Sequence, residues 1–210
     1  MNSPAGANVF VIDDDEEVRA SIQRLLKTVG LQGQTFTRAQ DFLQLKLPEI
    51  PSCVVLDVRL PGMSGLEVQR QLVAAGINIP IIFISAHADV DMAVRAMKLG
   101  AVEFLTKPFR PQELVDVIQQ TLQRDAARLR EQRDTASLQQ RYRTLTARER
   151  QVMDLFASGL STKQMASKLG VTEVTAAVHR GHVMQKMHAG SPAELGRMAE
   201  RLSLSSAKES

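Results

Sequence analysis

Short apolar runs rich in β-branched residues alternate with amphipathic stretches through the first half of this chain. Val9–Ile12, Cys53–Leu56, Ile81–Ser85 and Phe104–Leu105 predict strands, with a shorter, weaker one near Gln34–Phe36. Runs that are apolar without interruption suit a parallel sheet covered by helices on both faces. Between them, Glu16–Val29 carries Val18, Ile22, Leu25, Leu26 and Val29 at helical spacing and stops at Gly30, a C-cap position. Similar patterns over Gly65–Ala75 and Val90–Leu99 each close on a glycine. Five strands alternating with five helices predict an α/β fold, an open and doubly wound five-stranded parallel sheet. In such sheets ligands bind beyond the carboxyl ends of the strands.

The rhythm then changes. From Pro111 the pattern stays helical to about Arg141 without an internal Pro or Gly, and Val115, Leu122, Leu129 and Ala136 recur every seventh residue in an otherwise Arg- and Gln-rich stretch. This predicts a fifth helix that continues as a long helical linker, self-associating weakly through that stripe or serving as a solvated spacer. Four short helical patterns follow, Thr146–Ser158, Thr162–Leu169, Thr172–Met187 and Pro192–Leu202, separated by Gly159, Gly170 and Gly190, and the tail SSAKES is expected to be disordered. The 210 residues therefore divide into an α/β domain over 1–122, a linker over 123–141 and an all-α four-helix domain over 142–210.

Charge follows the same division. Residues 1–120 hold 11 Lys+Arg against 14 Asp+Glu, whereas the remainder holds 15 against 9. An acidic module is joined to a basic one suited to a polyanion. The longest apolar stretch, Ile79–Ala86, is too short to span a bilayer, and MNSPAGAN has neither the basic nor the apolar region of a secretory signal. A cytoplasmic protein without membrane contact is expected. The single cysteine, Cys53, lies in the apolar run CVVL and reads as a buried thiol.

Asp13, Asp14 and Asp15 follow the first strand directly, and Asp57 ends the third. Carboxylates crowded at one sheet edge repel each other unless a cation sits among them, and Mg²⁺, a hard ion satisfied by oxygen ligands, is the obvious candidate. Ser85 ends the fourth strand and Lys107-Pro108 follows the fifth. An ammonium and a hydroxyl facing those carboxylates complete a pocket for a phosphoryl group. The segments VIDDDEEVR, VVLDVRLPGMSGLE, IIFISAHADV and FLTKPF resemble, in order and spacing over residues 7 to about 122, the flavodoxin-like receiver domain of two-component response regulators.

The resemblance implies that Asp57 is the phosphoacceptor, taking a phosphoryl group from a cognate sensor histidine kinase or a small phosphodonor. Asp14 would bind Mg²⁺ directly and Asp13 mainly through water, with Asp57 itself and the backbone carbonyl of Arg59 as further ligands. Lys107 would pair with the acceptor carboxylate and then with the phosphoryl oxygens. Ser85 would move to bond the phosphoryl group, and Phe104 would rotate into the space vacated. Lys107-Pro108 would carry a cis peptide. His87 and Arg59 occupy positions that in this family affect how fast the phosphoryl group hydrolyses, and the imidazole could order the attacking water. Asp-x-Asp after a first strand also resembles haloacid dehalogenase-type phosphatases, with Asp13 as nucleophile and Asp57 incidental. That reading requires a cap domain, which is not evident, and a small or hydroxylic residue where Glu16-Glu17 stand.

In the basic half, Leu160-Ser161-Thr162 opens a helix, Leu169-Gly170-Val171 makes a turn and Thr172 is placed to N-cap the next helix, a helix-turn-helix. Ala176, Val183 and Met187 share the inward face, and Val174, Ala177, Val178 and Gly181 fall on the other. Together with LTARERQVM, GLSTKQMASKLGV and TAAVHRGHVMQKM, this resembles the LuxR-type DNA-binding domain of NarL/FixJ response regulators, and the whole order resembles the FixJ branch. The expected partner is double-stranded DNA. Lys163, His179, Arg180, His182 and Lys186 are candidate phosphate contacts. Ala177 and Gly181 stand where the family often has a base-reading lysine. Direct readout then falls to Ala177 and Val178 on thymine methyls and to the hydroxyls of Thr172 or Thr175. Output helices that dock a protein instead are the other reading, opposed by the basic charge. The reading as a whole is a regulator of transcription rather than an enzyme, homodimeric when phosphorylated, with RNA polymerase as a further candidate contact.

Overall fold

The computed structural model describes residues 6–86 and 89–206. Its first compact unit, residues through Leu129, contains β1 (Asn8–Ile12), α1 (Glu16–Thr28), β2 (Gln32–Phe36), α2 (Ala39–Leu43), β3 (Ser52–Asp57), α3 (Gly65–Ala74), β4 (Ile81–Ser85), α4 (Val90–Lys98), β5 (Glu103–Thr106) and the first half of α5 (Pro111–Arg143). The strands are all parallel, in the order β2-β1-β3-β4-β5. The chain order reverses between β1 and β3, which opens a crevice at their carboxyl ends.

Strand residues alternate between two cores. Val9, Val11, Cys53, Val55, Ile82 and Ile84 meet Ile22 and Leu26 of α1 and Leu114, Ile118 and Leu122 of α5 on one face. Phe10, Ile12, Val54, Leu56 and Phe83 meet Phe42, Val68, Leu72 and Ala96 on the other. Burying both faces is why these strands are continuously apolar in sequence. β2 is the exception. It is an edge strand paired only to β1, which permits its polar residues, and it begins two residues before the expected Gln34.

The second helix is the element to which the sequence pattern assigned no residues. It has five residues, too few for a helical period to show, and is held by Phe42, whose ring lies 5.4 Å from Phe10 and 5.7 Å from Phe36. Gly65 is required by close approach: a Cβ there would collide with the Asp57 carbonyl oxygen and meet Phe83 at 3.0 Å. Only glycine lets α3 begin directly over the end of β3.

α5 is a continuous helix of 33 residues. Its expected heptad stripe is not a free seam, because Val115 is buried and Leu122 lies in the first core, whereas Ala136 is exposed. Packing against the first unit extends past Leu122 to Asp125, whose buried carboxylate accepts the Ser52 N–H at 2.9 Å and the Arg128 Nε–H at 2.8 Å. In the second unit, from Arg130, Leu138 packs with Leu145, Val152, Met153, Val183, Met187 and Leu195. This core is built by α6 (Ala147–Ala157), α7 (Thr162–Leu169), α8 (Glu173–Met187) and α9 (Pro192–Ser206). α9 runs past the expected Leu202 into the first two residues of SSAKES, and the other four lie outside the described residues.

Candidate functional site

The crevice between β1 and β3 gathers the acidic residues. Asp13 follows β1 and is fully buried; Asp57 ends β3 beside Ile84 of β4. Lys107 lies between them, its Nζ 2.6 Å from Asp13 Oδ2 and 2.6 Å from Asp57 Oδ2. Asp13 Oδ1 accepts the Asp15 N–H at 3.0 Å, and Asp57 Oδ1 accepts the Arg59 N–H at 2.9 Å. One carboxylate oxygen each from Asp13, Asp14 and Asp57 lie within 4.8 Å of one another. Asp15 does not belong to this set. It is the N-cap of α1, accepting the N–H groups of Glu17 and Val18.

Burial raises the Asp13 pKa above the usual carboxylate value, against the lowering effect of its bond to Lys107. Burial alone would lower Lys107, but its hydrogen bonds to Asp13 and Asp57 outweigh it and the ammonium is held above its ordinary value. Three carboxylates against one ammonium leave a surplus of negative charge, with one exposed member, Asp14. An all-oxygen anionic set open to solvent fits a hard divalent cation such as Mg²⁺ that retains waters.

Ser85 and the Lys107-Pro108 bond adjoin it. Ser85 is fully buried at the end of β4, and its carbonyl accepts the Lys107 N–H at 2.8 Å. Lys107-Pro108 is cis. Phe104 is half-buried with its ring 6.1 Å from Phe83. Arg59 is exposed, and His87 lies outside the described residues.

The second surface lies on α7 and α8. Thr146 and Ser161 form capping boxes with Glu149 and Gln164, Gly170 takes the left-handed conformation (φ 66°) that ends α7, and Thr172 caps α8. Ala176, Val183 and Met187 are buried, so Val174, Ala177, Val178, Gly181 and His182 face out, with Val174 75 % and Val178 50 % exposed. The Thr172 and Thr175 hydroxyls lie 2.9 Å apart. Lys163 is exposed and His179 half-buried. Arg180 donates to the Thr162 hydroxyl at 2.9 Å, tying α8 to the first turn of α7. Lys186 is engaged differently, in an ion pair of 2.7 Å with Glu149, a buried residue that the sequence reading overlooked. The T-x-x-E spacing of Thr146 and Glu149 was the signal for it. Bonds to Lys186 and to the Thr146 N–H hold the Glu149 carboxyl down to about 2.

Residues 9–119 match the model for the response regulator receiver domain, and residues 143–199 match that for bacterial regulatory proteins of the luxR family. The chain is 50% identical over 199 residues to nodulation protein W of Bradyrhizobium diazoefficiens, covering 95% of this chain and 88% of that one. It belongs to the NarL/FixJ-type response regulators. FixJ of Azorhizobium caulinodans is 41% identical, with 93% of each chain covered. The solved structure of the response regulator StyR matches with a TM-score of 0.86 and 48% identity, over 94% of this chain and all of that one. This response regulator is thus a phosphorylation-dependent, DNA-binding regulator of transcription in a two-component system, with a sensor kinase as its partner, and not an enzyme. Among its described residues no helix is long and apolar enough to cross a membrane.

Proposed function

We propose that Asp57 is the phosphoacceptor. The observation that carries this is the single lysine shared at 2.6 Å between Asp13 and Asp57 at the carboxyl edge of the sheet. One oxygen of the Asp57 carboxylate attacks the phosphorus of the donor, the new O–P bond forms as the donor's bond to phosphorus breaks, and the donor leaves with that bonding pair. The Lys107 ammonium, already at the carboxylate, follows the charge onto the phosphoryl oxygens, and the Arg59 N–H orients the attacking group. Asp13, Asp14, Asp57 and the Arg59 carbonyl would hold Mg²⁺, which supplies positive charge to the transferring phosphoryl group. The buried Ser85 hydroxyl then bonds the phosphoryl group, and Phe104, half-buried beside Phe83, turns into the space it leaves.

The phosphorylated form is a homodimer on DNA. Val90, Val94, Met97 and Leu99 leave an apolar strip on and just after α4, with Val90 79 % exposed, and a second copy supplies a partner for it. On DNA, Ala177 and Val178 read thymine methyls and Thr172 and Thr175 offer hydroxyls, while Lys163, His179, Arg180 and His182 contact phosphates. Lys186, held by Glu149, is the least available of the cations. RNA polymerase is then the further partner through which transcription changes.

Acetyl phosphate with Mg²⁺ is the test. One adduct, acid-stable but labile to base and hydroxylamine, is expected in the native chain and none in Asp57→Ala. An adduct that persists in Asp57→Ala overturns the assignment.

A further inference from the structure

A groove of 320 Å³ lies at the end of the sheet opposite the acidic pocket, between the last turns of α3 and α4, the start of β4 and the side of α5. Leu72, Ile77, Leu99 and Val102 give it an apolar wall, and Gln69, Arg124, Asp125 and Arg128 are the polar groups that line it. Apart from Leu99, which also belongs to the apolar strip at the end of α4, none of these residues serves phosphoryl transfer or DNA binding.

Gln69 is the anomaly. It is 1 % exposed, among apolar neighbours Val68 and Leu72 on the same helix. Its Nε2 donates to the Ala96 carbonyl of α4 at 3.1 Å, which fixes the amide's orientation, because the flipped form would set oxygen against oxygen. Oε1 is then left without a donor, and among the described residues it is the one buried side-chain nitrogen or oxygen so placed. Buried acceptors are normally paired, and an unpaired one points to a group that arrives from outside the chain. A leucine would fill this position without that cost.

The rim adds a charge preference. Asp125 is committed to Ser52 and Arg128, while Arg124, one turn before Arg128 on the same face, enters no ion pair among the described residues. Arg124 therefore brings a guanidinium to the rim beside an apolar wall.

We propose that this groove binds a small organic acid, with its apolar body against Leu72, Ile77, Leu99 and Val102, its carboxylate at Arg124, and a neutral O–H or N–H that displaces the cover over the buried Gln69 side chain and donates to Oε1. Because the Gln69 amide also holds the Ala96 carbonyl, which accepts the Ala101 N–H at 3.1 Å, occupation is transmitted to the last turn of α4. The site stands apart from the phosphoryl pocket, so its test does not depend on Asp57.

Full-length protein, ¹⁵N-labelled, is titrated with 4-hydroxybenzoate, with benzoate, which lacks the donor, and with phenol, which lacks the acid. The expected result is that 4-hydroxybenzoate shifts the Ala96 and Ala101 amide signals and binds about tenfold more tightly than either truncated probe, roughly one hydrogen bond's worth. Gln69→Leu should remove the advantage over benzoate, and Arg124→Ala the advantage over phenol; Gln69→Met replaces the leucine variant if that fails to fold. Equal binding of the three probes, no shift at either amide with millimolar probe, or an advantage over benzoate that survives loss of the Gln69 amide overturns the proposal.

Discussion

Two lysine–carboxylate clusters in this chain are made of the same groups at nearly the same distances. Lys107 lies 2.6 Å from each of Asp13 and Asp57, and Lys186 lies 2.7 Å from Glu149. They differ in balance. In the receiver one ammonium faces two carboxylates with a third at hand, and burial pushes Asp13 upward. In the DNA-binding unit one ammonium meets one carboxylate, which also caps α6 through Thr146, and Glu149 is held down to about 2. A balanced cluster stabilises the fold. An unbalanced one gives up stability to keep a charge that an incoming cation and phosphoryl group can use.

The strongest way to break that comparison is to neutralise one carboxylate in each cluster. Glu149→Ala removes a cap and strands Lys186, and the expected loss is about 2 kcal/mol, below the range for fully buried pairs because the Lys186 side chain is 39% exposed. Asp13→Asn removes the cost of a buried charge and, to a lesser degree, its repulsion against Asp57, and should stabilise the receiver by about 1 kcal/mol while abolishing phosphorylation. The chain has one tyrosine, Tyr142, packed in the second unit's core, and no tryptophan. Tyrosine fluorescence during urea unfolding therefore reads the second unit, and circular dichroism reads both. The same sign of change in both variants sinks the distinction.

Acid should separate the clusters as well. Glu149, lowered to about 2 from 4.5, contributes stability that is fully present above about pH 5 and is lost as pH falls towards 2. Asp13 runs the other way: its folded pKa is raised, so its ionised form carries a cost at neutral pH that is relieved as pH falls through that raised value. The stability read by tyrosine fluorescence should fall between pH 6 and pH 3 by about 1–2 kcal/mol, discounted for the exposure of Lys186, and in Glu149→Gln that dependence should flatten. Unchanged acid sensitivity in Glu149→Gln would assign it to other carboxylates.

A smaller effect comes from Mg²⁺. A cation drawn to surplus charge should raise the receiver's stability by about 1.4 kcal/mol at roughly ten times its dissociation constant and leave the tyrosine-monitored transition where it was. Asp14→Asn should remove most of the gain. Equal stabilisation of both units would mean a general salt effect.

The parts of this molecule legible in sequence were those repeated over many residues or carried by scarce chemistry. Continuous apolar strands announced a two-faced sheet, and the order of Asp13, Asp57, Ser85 and Lys107 announced which strand ends would meet. Shorter or compensated features stayed hidden. α2 has five residues, Asp15 spends its charge capping α1, and the Lys186 ammonium looks free until Glu149 is placed beneath it. The heptad stripe misled over Val115 and Leu122 for a related reason, since periodicity cannot distinguish a seam facing a second chain from a face buried in the chain's own fold. Gln69 gives no sequence signal at all; its meaning depends on Ala96, 27 residues away.

The finest test of the comparison concerns which cations on α8 serve DNA and which serve the fold. Arg180 bonds a neutral hydroxyl, a partner that phosphate can replace without stranding a charge, whereas Lys186 leaves Glu149 only by uncovering a buried carboxylate. Arg180→Ala should therefore weaken binding to specific and random DNA by similar factors and reduce the salt slope by about 0.9, one phosphate contact. Lys186→Ala should lower the stability of the second unit and leave the salt slope of the folded protein nearly unchanged. Val178→Ala should narrow the gap between specific and random sites, again with little effect on slope, because a methyl contact releases no counterion. A full unit lost from the slope in Lys186→Ala would show that phosphate outcompetes Glu149, and that the balanced cluster opens on DNA.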